Sequence, residues 1–237
     1  MSNPAAGGSD PSAASLPIGG ITSFSTVDWP GRLVAVCFLA GCPWRCRYCQ
    51  NSMLWDVSSA TSTYQDLLDL METRRGLLDG IVFSGGEPLA QRGLASAMRD
   101  MRDMGFEVGL HTGGALPDRL RDVLPLVSWV GYDVKAPWDA YPRITGVDGS
   151  GDRAREGLEA VLASGVDMEA RTTWHPDLLS PDDLVSIART LARMGVRSWA
   201  VQAFREQGTD GSLPPARVYP GDVPAEARDA MAHYEFR

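Results

Sequence analysis

The chain has 237 residues, 22 Lys and Arg against 30 Asp and Glu, and a net charge of −8. That length suits one domain with a sizeable core rather than two full domains. The acidic balance argues against a nucleic-acid surface, which needs a basic stripe, and no run approaches the ~18–20 apolar residues of a membrane span.

Residues 1–17 are mostly Ser, Ala, Gly, Pro and Asn. They carry too little apolar surface to offset the entropy of ordering, and read as a disordered tail. No basic segment runs into an apolar one there, so no secretory leader is expected. Residues 33–39 form a continuous apolar run, which predicts a first strand buried on both faces. A capping-box pattern at Ser62 and Gln65 opens a helix with Tyr64, Leu67, Leu68 and Met71 on one face. A second strand (80–83) precedes a helix facing the core through Leu94, Ala97, Met98 and Met101. A third strand (106–110) precedes a helix carrying Leu120, Val123 and Leu124, which ends near Pro125. A fourth strand (129–134) leads to a helix with Leu158, Val161 and Leu162, closed by Gly165. After a fifth strand (166–173), Ser180 caps a helix with Pro181 in its first turn and Leu184, Ile187, Ala188 and Leu191 inward. A sixth strand (198–204) follows, and residues 208–237, with Pro214, Pro215 and Pro220, read as an irregular extension.

Residues 18–207 therefore hold six strand–helix steps. Strict alternation implies an α/β fold with parallel strands and right-handed crossovers. A partial, open (β/α)6 barrel fits six units better than a closed barrel; a doubly wound sheet is the alternative. Either way, the functional site belongs at the C-terminal ends of the strands.

Three of the four cysteines fall within eight residues, in Cys42-Pro43-Trp44-Arg45-Cys46-Arg47-Tyr48-Cys49, directly after the first strand. Such clustering reads as metal ligation in a reducing compartment, hence a cytoplasmic protein. Three thiolates on a C-x3-C-x2-C loop can each hold one iron of a cubane. The fourth iron then lacks a protein ligand and stays open to substrate. A zinc site is the competing reading, but zinc wants a fourth ligand. Cys37 lies too deep in the strand and reads as a core residue; the remaining candidates are His111, His175 and His233. At the end of the second strand stands Ser84-Gly85-Gly86-Glu87-Pro88. Two glycines let a ligand approach the backbone, and the glutamate supplies a negative group. Alone this is a turn; soon after the cysteine loop it gains meaning.

The pair of motifs resembles the radical S-adenosylmethionine (SAM) enzymes. The resemblance implies a [4Fe–4S] cluster on Cys42, Cys46 and Cys49, with SAM on the open iron. It further implies that Gly85, Gly86 and Glu87 contact the methionine amino group and that Tyr48 lies near the adenine. The segments Gly19-Gly20-Ile21, Asp28-Trp29-Pro30-Gly31-Arg32, Asp133-Val134-Lys135-Ala136-Pro137, Arg171-Thr172-Thr173-Trp174-His175-Pro176 and Val201-Gln202-Ala203-Phe204-Arg205 narrow it. They look like the activating proteins of anaerobic ribonucleoside-triphosphate reductase, which install a glycyl radical on that partner. A one-electron donor such as flavodoxin or ferredoxin is then implied, and neither a nucleic acid nor a membrane. A small-molecule radical enzyme of the 7-carboxy-7-deazaguanine synthase kind is the alternative, and a non-catalytic iron–sulfur or zinc module a third.

The sequence departs from those relatives at two points. Gln50 follows the last cysteine, where they often carry His. His111-Thr112 stands where formate-lyase activases carry Asp-Thr, which argues against a monovalent cation beside the SAM carboxylate; Thr112 can still hydrogen-bond SAM. Asp133 and Lys135 alternate on a strand and so share a face. Buried opposite charges need partners, which either SAM or an internal ion pair would supply. Arg171 pairs with a carboxylate or serves a core network. Gln202 and Arg205 are candidates for the adenine edge or the partner's backbone. His175 reads as a loop residue, and Trp129 and Trp199 as core.

Overall fold

In the computed structural model, which describes residues 12–237, each strand lies beside its predecessor in the chain, giving one eight-stranded sheet in simple order. The seven strands β2 (Val34–Leu39), β3 (Gly80–Gly85), β4 (Glu107–Thr112), β5 (Trp129–Asp133), β6 (Asp167–Trp174), β7 (Ser198–Ala203) and β8 (His233–Phe236) are parallel. β1 (Ile18–Ser25) precedes them, antiparallel to β2. The connections carry α1 (Tyr64–Thr73), α2 (Leu94–Asp103), α3 (Pro117–Val123), α4 (Tyr141–Thr145), α5 (Ser150–Ser164), α6 (Pro181–Met194) and α7 (Ala225–Asp229). Six strand–helix units stand as expected, forming an open α/β partial barrel, and two further strands flank them.

Period-2 alternation divides the sheet into two faces. Ala35, Cys37, Leu39, Ile81 and Phe83 join the large core with the helices. Val34, Val36, Val82 and Trp129 turn the other way and form a second cluster with Trp29. Trp29 arrives from the β1–β2 connection and stacks on Trp129, ring centroids 5.5 Å apart and planes at 15°. Cys37 is fully buried, as the apolar run predicts.

Three expectations need correction. The disordered tail extends too far. Residues 1–11 lie outside the described residues, but Ala13–Ser15 form a 3-10 turn against α1 and α2, with Ala13 and Leu16 buried. Leu16 supplies the apolar anchor that the composition of the tail as a whole obscures. The extension 208–237 is not irregular throughout. It contributes α7, packed on α6, and β8, paired with β7. Four residues alternating in exposure are too short a pattern to stand out, and the strand is held by its edge pairing. Arg237, just beyond it, makes two 2.9 Å bonds to the buried carboxylate of Glu169 on β6. Finally, the α1 cap is Thr63, whose side chain and Asp66 bond each other's backbone N–H, rather than Ser62 with Gln65. The α6 cap is Ser180, as expected, with Asp183 completing the box.

Candidate active site

A cavity of about 240 Å³ opens at the C-terminal ends of the parallel strands. All twelve predicted site residues line it: Cys42, Cys46, Tyr48 and Cys49 after β2, Gly85, Gly86 and Glu87 at and after the end of β3, Thr112 on β4, Asp133 and Lys135 at and after the end of β5, Arg171 on β6 and Gln202 on β7.

The cysteine loop is held by backbone bonds to two neighbouring segments. Gly41 and Cys42 donate to the Leu54 and Trp55 carbonyls (2.8 and 3.2 Å), and Arg45 and Arg47 to those of Thr145 and Ile144 (2.9 and 3.0 Å). All three thiols are free. Burial, with Glu87 adding to it, pushes the Cys42 thiol up to about 12. Burial likewise pushes Cys46 up to about 11, against the pull of the Lys135 ammonium. A metal group seated here must therefore displace thiol protons, which couples its binding to pH.

The glycines after β3 serve a purpose that the motif alone does not reveal. At Gly85, with φ of 116°, a Cβ would stand 2.4 Å from the Leu39 backbone N and O, and at Gly86 2.5 Å from the Gly41 carbonyl. The closest approach is thus of the chain's own backbone, which brings the turn against the cysteine loop. Glu87 lies beyond, 2% exposed. One carboxylate oxygen accepts from the Leu89 N–H (3.2 Å) and the Thr112 hydroxyl (2.8 Å), the other from the Gly113 N–H (3.1 Å). Burial raises its pKa, and the bonds from Thr112, Leu89 and Gly113 oppose the rise. Thr112, expected to bond a ligand, lines the cavity and donates its hydroxyl to Glu87 in this structure.

Asp133 sits between two cations. Its Oδ2 lies 3.4 Å from Lys135 Nζ and its Oδ1 3.3 Å from Arg171 Nη2. Burial works to raise its pKa, but Lys135 and then Arg171 hold it below the usual carboxylate range. Lys135 Nζ also lies 5.8 Å from the centre of the Tyr48 ring. Two cations and two carboxyl groups in one cavity suit a zwitterion.

Sequence reasoning missed the network behind Arg171. His111 Nε2 lies 2.7 Å from the Asp28 carbonyl and 3.0 Å from Arg171 Nη1, and Nδ1 lies 3.3 Å from the Ser84 hydroxyl. Burial first, then the Arg171 charge, lowers the His111 pKa to about 3, so the ring is neutral. Donation from Nε2 to the carbonyl, the shorter contact, leaves Ser84 to donate to Nδ1 and makes the Arg171 approach a contact between two donors rather than a hydrogen bond. Asp28, Trp44 and Gln50 also line the cavity; the D-W-P-G-R and cysteine motifs contain the first two, without indicating that they face it. His175, as expected, is a loop residue: its Nε2 reaches the Pro214 carbonyl at 2.9 Å and its Nδ1 accepts from the Asp177 N–H. Arg205 lines a neighbouring groove instead, which shares Asp28, Gln50, Arg171 and Gln202 with the cavity.

Two buried donors in the cavity wall, Trp44 Nε1 and Arg171 Nε, have no partner. Buried polar groups are rarely left so, and a bound group with acceptor atoms would satisfy them. Three free thiols on one loop, an anchored carboxylate and the Lys135–Asp133–Arg171 array fit a cluster with a zwitterionic ligand. Among the described residues, no three or more His, Cys, Asp or Glu side chains gather about a point that would hold a single metal ion.

Residues 36–178 match the profile of the radical SAM superfamily. The chain is 28% identical over 194 residues to a protein of Methanocaldococcus jannaschii carrying the name glycyl-radical enzyme activating enzyme, covering 79% of each. It is 31% identical over 166 residues to the pyruvate formate-lyase-activating enzyme of Clostridium pasteurianum, covering 67% of this chain and 68% of the relative. A 7-carboxy-7-deazaguanine synthase of Thermococcus kodakarensis is 27% identical over 126 residues, 44% of this chain and 50% of the relative. In three dimensions the fold is similar to that of Streptococcus suis SuiB bound to S-adenosylmethionine, with a TM-score of 0.63 at 12% identity over 83% of this chain and 47% of SuiB.

Proposed function

The chain belongs to the radical SAM superfamily, whose cofactors are a [4Fe–4S] cluster and SAM, and from that premise we propose that it installs a glycyl radical on an anaerobic ribonucleotide reductase. The observation that carries the reading is the convergence of all twelve predicted residues, from six consecutive parallel strands and the loops after them, on one cavity.

Cys42, Cys46 and Cys49 would hold three irons and leave the fourth for SAM. Bound there, the cluster would supply the electron for reductive cleavage of SAM, the chemistry from which hydrogen abstraction starts. Glu87, fixed by its three donors, offers its one remaining lone pair, on Oε2, to the methionine ammonium. Lys135 and Arg171, held in place by Asp133, offer cations to the methionine carboxylate. Tyr48, 6% exposed, gives an aromatic wall for the adenine. Gly85 and Gly86 position the turn that presents Glu87. Gln202 stands on β7, where the cavity meets the neighbouring groove, and offers its amide to the adenine edge or to the partner's backbone.

The partner assignment rests on the D-W-P-G-R and D-V-K-A-P segments and on the activase relatives. The electron donor would be a flavodoxin or ferredoxin. No helix among the described residues is long and apolar enough to cross a membrane, and the free thiols favour the reducing cytoplasm. The decisive experiment mixes reduced holoprotein, SAM and the reductase without oxygen. A glycyl doublet in the EPR spectrum is expected. 5′-Deoxyadenosine without a doublet would move the assignment to a small-molecule substrate.

A further inference from the structure

Arg45 lies inside the three-residue spacer between the first two cysteines, and its side chain folds back over the loop. Nη1 donates to the Cys42 carbonyl at 2.5 Å and to the Trp44 carbonyl at 2.9 Å. The guanidinium carbon stands 5.4 Å from the centre of the Trp55 ring. Its own N–H bonds the Thr145 carbonyl, while Cys42 N–H bonds Trp55. One exposed side chain therefore ties the cysteine loop to itself and to the 51–57 turn. We propose that Arg45 is a positioning residue for the iron–sulfur cluster, clasping the Cys42–Trp44 segment and holding a positive charge against it.

Two consequences follow from different parts of the side chain. The clasp restrains the loop that carries Cys42 and Cys46, so it slows loss of the cluster. The charge favours the reduced cluster, which is one unit more negative, so it raises the reduction potential; net charge and hydrogen bonding are what tune such potentials. Neither effect requires Arg45 to touch SAM or the reacting atoms.

The inference rests on the cluster reading above, and the experiment separates the two. Wild type, Arg45→Gln, Arg45→Lys and Trp55→Leu are reconstituted anaerobically. Iron and sulfide content, cluster half-life in excess chelator, and midpoint potential by EPR-monitored titration are measured. Arg45→Gln should shorten the half-life roughly tenfold, the low end of the affinity loss that follows removal of a residue supporting a metal ligand, and make the potential more negative. Arg45→Lys should recover the potential, because the charge is kept. Trp55→Leu should shorten the half-life while leaving the potential near wild type. A wild-type half-life or a wild-type potential in Arg45→Gln overturns the proposal; if that variant fails to fold, a wild-type half-life in Trp55→Leu does so. Wild type that takes up no cluster overturns the cluster reading, and this inference with it.

Discussion

His111 is the residue whose chemistry departs furthest from its sequence context. Its folded pKa, about 3, is depressed below the ordinary 6.5. A depressed base contributes stability that is present above pH 6.5 and is lost as pH falls toward 3. Between pH 6.5 and 5 that loss is about 2 kcal/mol. Urea unfolding of the apo-protein should therefore show the advantage of wild type over His111→Gln shrinking by about that amount between pH 7.5 and 5; a constant difference would refute it. The cysteines give a sharper prediction. Cys42→Ala, Cys46→Ala and Cys49→Ala should each abolish the cluster, and Cys37→Ala should keep it, since Cys37 packs among the helices. Iron and sulfide analysis of the four variants checks this. For Glu87→Ala the affinity for SAM should fall by tens to thousands of times, corresponding to the ~2–5 kcal/mol of a truncated buried charged contact, read from the SAM-induced change in the reduced cluster's EPR signal. The cysteines, Glu87 and the Asp133–Lys135 pair were legible because their chemistry sits in contiguous motifs. The His111–Asp28 bond was not. It joins residues 83 apart in sequence, and a main-chain carbonyl acceptor leaves no mark on residue type.

Among the elements, β2 through β7 were legible because strands buried on both faces leave long apolar runs. β1 was hidden by its composition, Ile-Gly-Gly-Ile-Thr-Ser-Phe-Ser, half exposed and broken by two shifts in register against β2. β8 was hidden by its length. The β2–β3 pairing makes a direct prediction through its glycines. Gly85→Ala would force a Cβ to 2.4 Å from the Leu39 backbone at a φ of 116°. Strain and overpacking together should cost about 2–5 kcal/mol. Gly20→Ala on β1 meets nothing within 4 Å and should be tolerated. Chemical denaturation of both variants tests the contrast, and equal stabilities would show that the β3 turn can move away from Leu39.

At the scale of the whole molecule, the sheet runs in order from β1 to β8, and each edge strand pairs with another strand on one side only, β1 adding a single bridge from Ile18 to Ser62. The β8 edge is secured by Arg237, whose guanidinium reaches Glu169 on β6 and Glu235 on β8 itself. Glu169 is 5% exposed. Arg237→Ala would leave that carboxylate buried without its cation. The expected loss is ~2–3 kcal/mol, below the ~3–5 kcal/mol of a wholly buried pair because Arg237 remains partly exposed. An unchanged thermal midpoint would show that β8 is held by its backbone alone. The expected barrel of six units was legible from strict alternation. Its margins were not, because edge strands need only one apolar face and so leave half the signal.

The stack of Trp29 on Trp129 carries an optical consequence. Two indoles 5.5 Å apart, with planes at 15°, couple their strong far-ultraviolet transitions and split that circular-dichroism band into a signed couplet. One ring rides on a strand and the other on the β1–β2 connection, so the couplet exists only while that connection is seated inside the sheet. Asp28, next to Trp29, bonds His111 through its carbonyl at the cavity wall. The couplet is thus a label-free gauge of that wall, readable in the intact wild-type chain, and it should vanish in Trp29→Leu while the infrared amide bands stay.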